Sequence, residues 1–171
     1  MKLFKTKSEY LGAARKKREI LIEQEKELYV LCNRLDSLNQ RSSSLSSGDA
    51  ASVESVRNEG LDKLQNIKEK LNEISRRYGP IKNEVSHLVY EKRSHDLSEE
   101  ELEEINDIQQ ISDSFNHKMN LLNSSIAAIR AEMLNNKYPE NMEHKERDHV
   151  AFCYQKIVWT HNIDIGKDDW D

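Results

Sequence analysis

Residues that end secondary structure are scarce in this sequence, which has five glycines and two prolines among 171 residues. An all-β domain or a Rossmann-type domain would need more turn residues than this. Charged residues make up 33% of the chain and apolar residues 36%, which is typical of long helices with charged outer faces. A chain of this length can bury a continuous core in one domain without disulfides or metal ions.

Cysteines and long apolar runs are also scarce. Cys32 and Cys153 are the only cysteines, which is too few for a disulfide framework and consistent with a reducing compartment. No stretch approaches the ~20 consecutive apolar residues that span a bilayer, and the N-terminal sequence MKLFKTKSEY has no apolar run of signal-peptide length. We therefore expect a cytoplasmic protein that neither spans a membrane nor carries a standard export signal.

Catalytic and metal-binding motifs are missing as well. The sequence has no GxSxG motif, no glycine-rich phosphate loop followed by a lysine, and no HExxH motif. Four potential metal ligands lie in the C-terminal region, but their spacing matches no zinc-finger pattern. These ligands are His144, His149, Cys153 and His161. We predict a protein without enzymatic activity, metal ion or cofactor.

What the sequence does contain is heptad periodicity, which predicts three long helices at about 7–42, 51–94 and 98–136. The apolar seams of the first helix are formed by Ala14, Leu21, Leu28, Leu31, Leu35 and Leu38, with Lys17 and Gln24 as polar interruptions. Those of the second are formed by Val53, Gly60, Leu64, Ile67, Leu71, Ile74, Tyr78, Ile81, Val85 and Leu88. The third seam runs through Ile105, Ile108, Ser112, Phe115, Met119, Leu122, Ile126, Ile129 and Met133.

Capping signals and short connections predict how these helices are arranged. Thr6 with Glu9, and Ser98 with Glu101, read as capping boxes that begin the first and third helices. The serine-rich stretch 41–50 and residues 95–97 are short connections. Consecutive helices should therefore be antiparallel, so we predict an all-α fold in which residues 1–138 form an elongated, coiled-coil-like bundle of three antiparallel helices.

The Gly79-Pro80 pair falls inside the second predicted helix. Proline in a helix interior costs roughly 3 kcal/mol and bends the helix, and it biases the preceding residue away from helical angles. The heptad nevertheless resumes in phase after Pro80. We therefore predict one kinked helix, with a helix-ending turn at 78–80 as the alternative.

The C-terminal region, 139–171, has a different pattern. It contains a candidate fourth helix at about 140–155 and then an alternating run, KIVWTHNIDIGK, which suggests an extended arm. Trp170 follows among acidic residues and resembles the tryptophan-acidic peptides that helical-repeat adaptors bind. Tryptophan is enriched at binding hot spots, and acidic neighbours steer it toward a basic groove. The predicted partner-binding residues are Ile157, Trp159, Ile163, Ile165, Asp168, Asp169 and Trp170. The alternative is that Trp170 folds back as a lid on one end of the bundle.

The N-terminal segment is basic, although the whole chain carries a net charge of −5. Its cations are Lys2, Lys5, Lys7, Arg15, Lys16, Lys17 and Arg18, against Glu9 as the one acid. Such a segment can bind the phosphates of nucleic acid or an anionic membrane. The alternative is that these cations are solvated or pair with the acidic start of the third helix.

Together these features predict a non-enzymatic coiled-coil adaptor or assembly subunit, which binds one or more protein partners through its helix faces and its C-terminal region. A homo-oligomer and a hetero-oligomer are both compatible with this pattern. The alternative function is binding of nucleic acid or an anionic membrane through the basic N-terminal segment.

Overall fold

The computed structural model describes residues 3–43 and 50–135, and these residues are almost entirely helical. The helices are α1 (Lys7–Ser43), α2 (Ala50–Glu91) and α3 (Glu99–Asn135), with a 3₁₀ turn at Lys92–Ser94 after α2. No strand occurs in the described ranges, so the predicted all-α class is confirmed. The predicted fourth helix, the C-terminal arm and most of the loop at 41–50 lie outside the described residues.

Both predicted capping boxes are confirmed. At the start of α1 the Glu9 N–H donates to Thr6 Oγ1 at 3.1 Å, and the Thr6 N–H donates to Glu9 Oε2 at 3.3 Å. Before α3 the Glu101 N–H donates to Ser98 Oγ at 3.2 Å, and the Ser98 N–H donates to Glu101 Oε2 at 2.7 Å. Each box satisfies two backbone donors that the first helical turn leaves without partners.

Helix α2 continues through Pro80, as the unbroken heptad predicted. The alternative of a helix-ending turn at 78–80 is therefore wrong. Gly79 and Pro80 are exposed, whereas Tyr78 and Ile81 beside them are buried. The apolar seam on both sides of the proline is thus retained in one helix.

The chain divides into two compact units, and all three helices contribute to each of them. Unit 1 comprises Met1–Glu27 and Glu73–His117. Unit 2 comprises Leu28–Asn72 and, among the described residues, 118–135. In unit 1, Lys17 of α1 pairs with Glu84 of α2, and Glu27 of α1 pairs with Arg77 of α2. Residue numbers therefore rise along α1 while they fall along α2, so these two helices are antiparallel there.

The core of unit 1 includes a polar contact at the middle of its helices. Its buried apolar residues include Ala14, Leu21, Ile74, Ile81, Val85, Leu88, Ile105, Ile108 and Ile111. The Tyr78 hydroxyl donates to the Ser112 carbonyl oxygen at 2.8 Å, and the Tyr78 ring lies 4.9 Å from that of Phe115. The Tyr78 hydroxyl also lies 3.0 Å from Ser112 Oγ, so the buried serine hydroxyl at this seam position has a hydrogen-bond partner.

The core of unit 2 is formed by the remaining heptad residues. They include Leu28, Leu31, Leu35, Leu38, Leu64, Ile67, Leu71, Met119, Leu122, Ile126, Ile129 and Met133, and Cys32, outside the predicted seam, is buried with them. The apolar heptad positions whose side chains the structure describes are all buried, so the predicted register is confirmed. The sequence did not predict a second feature of this unit, the buried Lys118 and Glu132. Burial lowers the pKa of Lys118 to about 8, because the charged ammonium loses its hydration.

Candidate functional site

The basic N-terminal segment, which the sequence marked as a candidate phosphate-binding surface, lies in unit 1 beside the acidic first turns of α3. Lys7 Nζ is 2.7 Å from Glu101 Oε2. Arg15 Nη2 and Arg18 Nε extend the row, at 3.3 Å from Glu104 Oε2 and 3.2 Å from Asp107 Oδ2 respectively. Helix α3 therefore supplies a carboxylate to each of these three cations.

The other predicted cations of this segment are placed differently. Lys17 is half-buried and pairs with Glu84 on α2. Lys5 and Lys16 are exposed and form no ion pair with a described residue. Lys2 lies outside the described residues. Four of the seven predicted cations are thus paired within unit 1, which leaves a much weaker positive surface than the sequence suggested.

An aromatic cluster closes the same end of unit 1. The Tyr10 side chain is fully buried, and its hydroxyl donates to the Leu88 carbonyl oxygen at 2.5 Å. The His95 ring stacks on Tyr10 with centroids 4.4 Å apart, and Phe4 makes an edge contact at 5.8 Å. Burial, assisted by the negative charge of Glu91, raises the pKa of Tyr10 to about 12. The tyrosine is therefore a neutral packing residue.

Glu91 fastens the chain's N-terminal segment onto this cluster. Its carboxylate accepts a hydrogen bond from the Leu3 N–H at 2.5 Å, and its Oε2 lies 3.6 Å from His95 Nε2. The Leu3 hydrogen bond is the main reason that the pKa of Glu91 is lowered. Glutamate, histidine and tyrosine side chains together resemble an acid–base site. However, only 4% of Glu91 is exposed to solvent, and Tyr10 is fully buried. The cluster is therefore part of the packed interior of unit 1.

Unit 2 carries a groove between the C-terminal part of α1 and the N-terminal half of α2. Its volume is about 320 Å³, which is at the lower end of the ~300–1,000 Å³ typical of ligand sites. Three cations, two hydrogen-bonding side chains and two apolar side chains line it, and no acid is among them. These residues are Arg34, Ser37, Leu38, Arg41, Lys63, Asn66 and Ile67. We call this surface the basic groove.

A smaller cavity of about 40 Å³ continues the basic groove toward α3. It shares Leu38, Arg41 and Lys63 with the groove, and it adds Val56, Arg57, Glu59, Gly60 and Met133. At Gly60 a Cβ atom would lie 3.2 Å from Met133 Cε. The glycine therefore lets the end of the Met133 side chain approach α2 closely, and the methionine forms part of the apolar wall.

The charges around the basic groove remain predominantly positive after local pairing. Lys63 Nζ lies 2.5 Å from Glu59 Oε1, and this contact lowers the pKa of Glu59. Arg57 pairs with Glu54 at 3.9 Å. Arg34 forms no ion pair within the described part of the chain. Since guanidinium groups bind carboxylates through two parallel hydrogen bonds, the groove is suited to an acidic ligand.

The heptad pattern did not mark these groove residues as a site. On α1 the spacing of Arg34, Ser37, Leu38 and Arg41 is i, i+3, i+4, i+7, which places them on one helix face. The available sequence signal was a pair of arginines, seven residues apart, with a leucine of the apolar seam between them. The facing residues of α2 could not be assigned to it from the sequence, since that assignment requires the relative register of two helices.

The predicted C-terminal site lies outside the described residues. It comprises Ile157, Trp159, Ile163, Ile165, Asp168, Asp169 and Trp170. The potential ligands His144, His149, Cys153 and His161 also lie there. In the described ranges, side chains that could hold a metal ion do not cluster, and no helix is long and apolar enough to cross a membrane.

Comparison with known proteins gives no relative: no family model, no curated protein and no solved structure matches this chain.

Proposed function

We propose that the protein is a non-enzymatic adaptor or assembly subunit that binds a protein partner through the basic groove, the exposed helix faces and the acidic C-terminal residues 166–171. The observation that supports this most is the lining of the basic groove. Its cations and small hydrogen-bonding groups are suited to a peptide segment that carries several carboxylates.

Exposed apolar side chains add further contact area for a partner. In unit 2, Val56 is 40% exposed at the edge of the groove, and Val30 and Leu134 are also exposed. In unit 1, Tyr90 is 83% exposed. Large apolar and aromatic side chains of this kind commonly supply much of the binding energy at protein interfaces.

The pairing of the N-terminal cations favours a protein partner over the alternative, which is nucleic acid or an anionic membrane. Binding to phosphates depends on cations that can release counterions. Lys7, Arg15 and Arg18 already have carboxylate partners on α3. A phosphate ligand would have to displace these carboxylates, and their negative charge would repel it.

Affinity purification from the native cell tests the proposal, followed by binding measurements with the purified partner. The variants are Trp170→Ala for the C-terminal residues and Arg34→Glu with Arg41→Glu for the groove. A hot-spot tryptophan contributes roughly 2 kcal/mol or more, so we expect Trp170→Ala to raise Kd about 30-fold.

A matched control is Lys70→Glu with Arg76→Glu, which makes the same charge change at two exposed positions of α2 outside the groove. This control should bind the partner as the wild type does. Recovery of nucleic acid or lipid instead, with binding that weakens steeply as salt is added, would contradict the proposal and support the alternative.

A further inference from the structure

The accessible lining of the basic groove is almost entirely polar. Leu38 and Ile67 are 6% and 3% exposed, so they belong to the packed core and offer little surface to a ligand. Arg34, Lys63 and Asn66 reach the groove with side chains that are exposed or half-buried. A ligand in this groove is therefore held by charge and hydrogen bonds rather than by burial of an apolar group.

Two side chains of the groove are available as hydrogen-bond donors. The guanidinium of Arg34 and the amide of Asn66 form no hydrogen bond or ion pair within the described part of the chain. Ser37 differs from them, because its hydroxyl already donates to the Asn33 carbonyl oxygen at 3.1 Å. Arg34 on α1 and Asn66 on α2 therefore offer N–H donors from both sides of the groove.

Lys63 is held by an acid of the chain itself. Its Nζ lies 2.5 Å from Glu59 Oε1. This hydrogen bond, and then the positive charges of Lys63 and Arg41, lower the pKa of Glu59. The Glu59 side chain is 61% exposed, and exposed ion pairs contribute little to stability. An anion that carries more charge than one carboxylate can therefore displace Glu59 at small cost.

A phosphate monoester is an anion of this kind, because it carries about two negative charges on three acceptor oxygens. The three cations of the groove lining exceed the neighbouring Glu59 by two charges. We propose that the basic groove binds the phosphate of a phosphorylated side chain in a partner's peptide segment, and that this phosphate displaces Glu59 from Lys63. The phosphate oxygens accept hydrogen bonds from Arg34, Lys63 and Asn66.

A phosphate carried on a peptide fits the shape of the groove better than a free metabolite does. Sites for small ligands enclose most of the ligand and are lined mainly by apolar side chains. This groove has a volume of about 320 Å³, and its accessible lining is polar. The assignment rests on the proposed function, since it names the chemistry of the partner segment. Phosphorylation of the partner then switches binding on.

Peptide titrations followed by nuclear magnetic resonance of the full-length chain test this assignment. Three short peptides share one sequence, in which a central serine flanked by glutamates is unmodified, phosphorylated or replaced with glutamate. We expect the phosphorylated peptide to bind about tenfold more tightly than the other two, because its phosphate contacts donors of both helices at once. Inorganic phosphate alone should bind more weakly than the phosphorylated peptide.

Two substitutions should change the affinity for the phosphorylated peptide in opposite directions. Arg34→Gln removes a charged donor and should weaken binding about tenfold. Glu59→Gln removes the competing carboxylate and should strengthen binding several-fold. Both positions are exposed, so neither substitution should alter the fold. The matched controls are Arg76→Gln and Glu69→Gln, which make the same charge changes at exposed positions of α2 outside the groove lining and should leave the affinity unchanged.

Equal binding of the phosphorylated and the glutamate peptides would overturn the phosphate assignment, while the proposed binding of acidic segments would stand. A Glu59→Gln variant that binds the phosphorylated peptide no more tightly than the wild type would overturn the displacement of Glu59. Free phosphate that binds as tightly as the phosphorylated peptide would overturn the assignment to a partner's peptide and would indicate a small phosphorylated ligand.

Discussion

At the scale of single residues, Leu71 shows what the heptad pattern predicts well. It lies on the α2 seam and is 3% exposed in unit 2. We expect Leu71→Ala to lower the free energy of unfolding by about 2–5 kcal/mol, because truncation removes apolar contacts and leaves a cavity. A denaturant titration followed by circular dichroism measures this loss.

The matched control is the adjacent Lys70→Ala, which alters an exposed position of the same helix and should change stability by no more than about 0.5 kcal/mol. A loss at Leu71 as small as that of the control would show that the heptad register is wrong.

Glu91 is a residue whose effect depends on pH. Its pKa is lowered mainly by the hydrogen bond from the Leu3 N–H, then by His95 and the Phe4 N–H. A lowered pKa means that the folded state favours the charged carboxylate. The resulting stability is present above the ordinary value of 4.5 and is lost as pH falls through the folded pKa. We therefore expect the Tm advantage of the wild type over Glu91→Gln to shrink below pH 4.5.

Thermal melts of both proteins from neutral to acidic pH measure this difference. Glu103→Gln, at an exposed position of α3, provides the control and should follow the wild type throughout. A Tm difference between wild type and Glu91→Gln that stays constant across this range would show that the carboxylate does not fasten the N-terminal segment.

The burial of Leu71 could be predicted from the sequence, but that of Glu91 could not. Leu71 repeats a seven-residue pattern that is visible within its own helix. Glu91 is buried because the backbone of Leu3, 88 positions away, supplies a donor. Long-range pairing of this kind leaves no periodic trace in the sequence.

At the scale of secondary-structure elements, the helix starts and the continuity of α2 followed from local chemistry. Two capping boxes gave the beginnings of α1 and α3, and the heptad continued in phase across Gly79-Pro80. The free-energy cost of placing Pro80 inside the helix is therefore outweighed by the burial of Tyr78, Ile81 and Val85 on the same seam. The basic groove could not be predicted, because it depends on which residues of α1 and α2 face one another.

Pro80→Ala should leave α2 as one continuous helix. The substitution restores a backbone donor and removes the clash of the proline ring with the preceding turn, so stability should be unchanged or increased. Gly79→Ala provides a parallel case, since a Cβ atom there meets nothing within 4 Å and alanine favours helix by roughly 0.5–1 kcal/mol. Circular dichroism and thermal melting measure both. Loss of helicity in Pro80→Ala would show that the proline geometry is required.

At the scale of the whole molecule, charge is distributed differently from what the sequence order suggests. The N-terminal segment is strongly basic, but its cations pair with carboxylates of α2 and α3 within unit 1. Exposed pairs of this kind are each worth about 0–1 kcal/mol, so their main effect is on the surface potential rather than on stability. In unit 2 the lining of the basic groove contains three cations and no acid, although Lys63 pairs with the neighbouring Glu59.

Removal of residues 166–171 separates a binding role of this segment from a structural one. Among the described residues, the buried apolar side chains all belong to α1, α2 and α3. Removing residues 166–171 should therefore leave Tm within a few degrees of the wild type. Differential scanning calorimetry of the full-length and truncated proteins measures this. A truncated protein that melts much earlier yet still binds its partner would make the segment a structural lid. The partner-binding surface would then lie on the helices, where Tyr90 and Val56 are the first residues to replace.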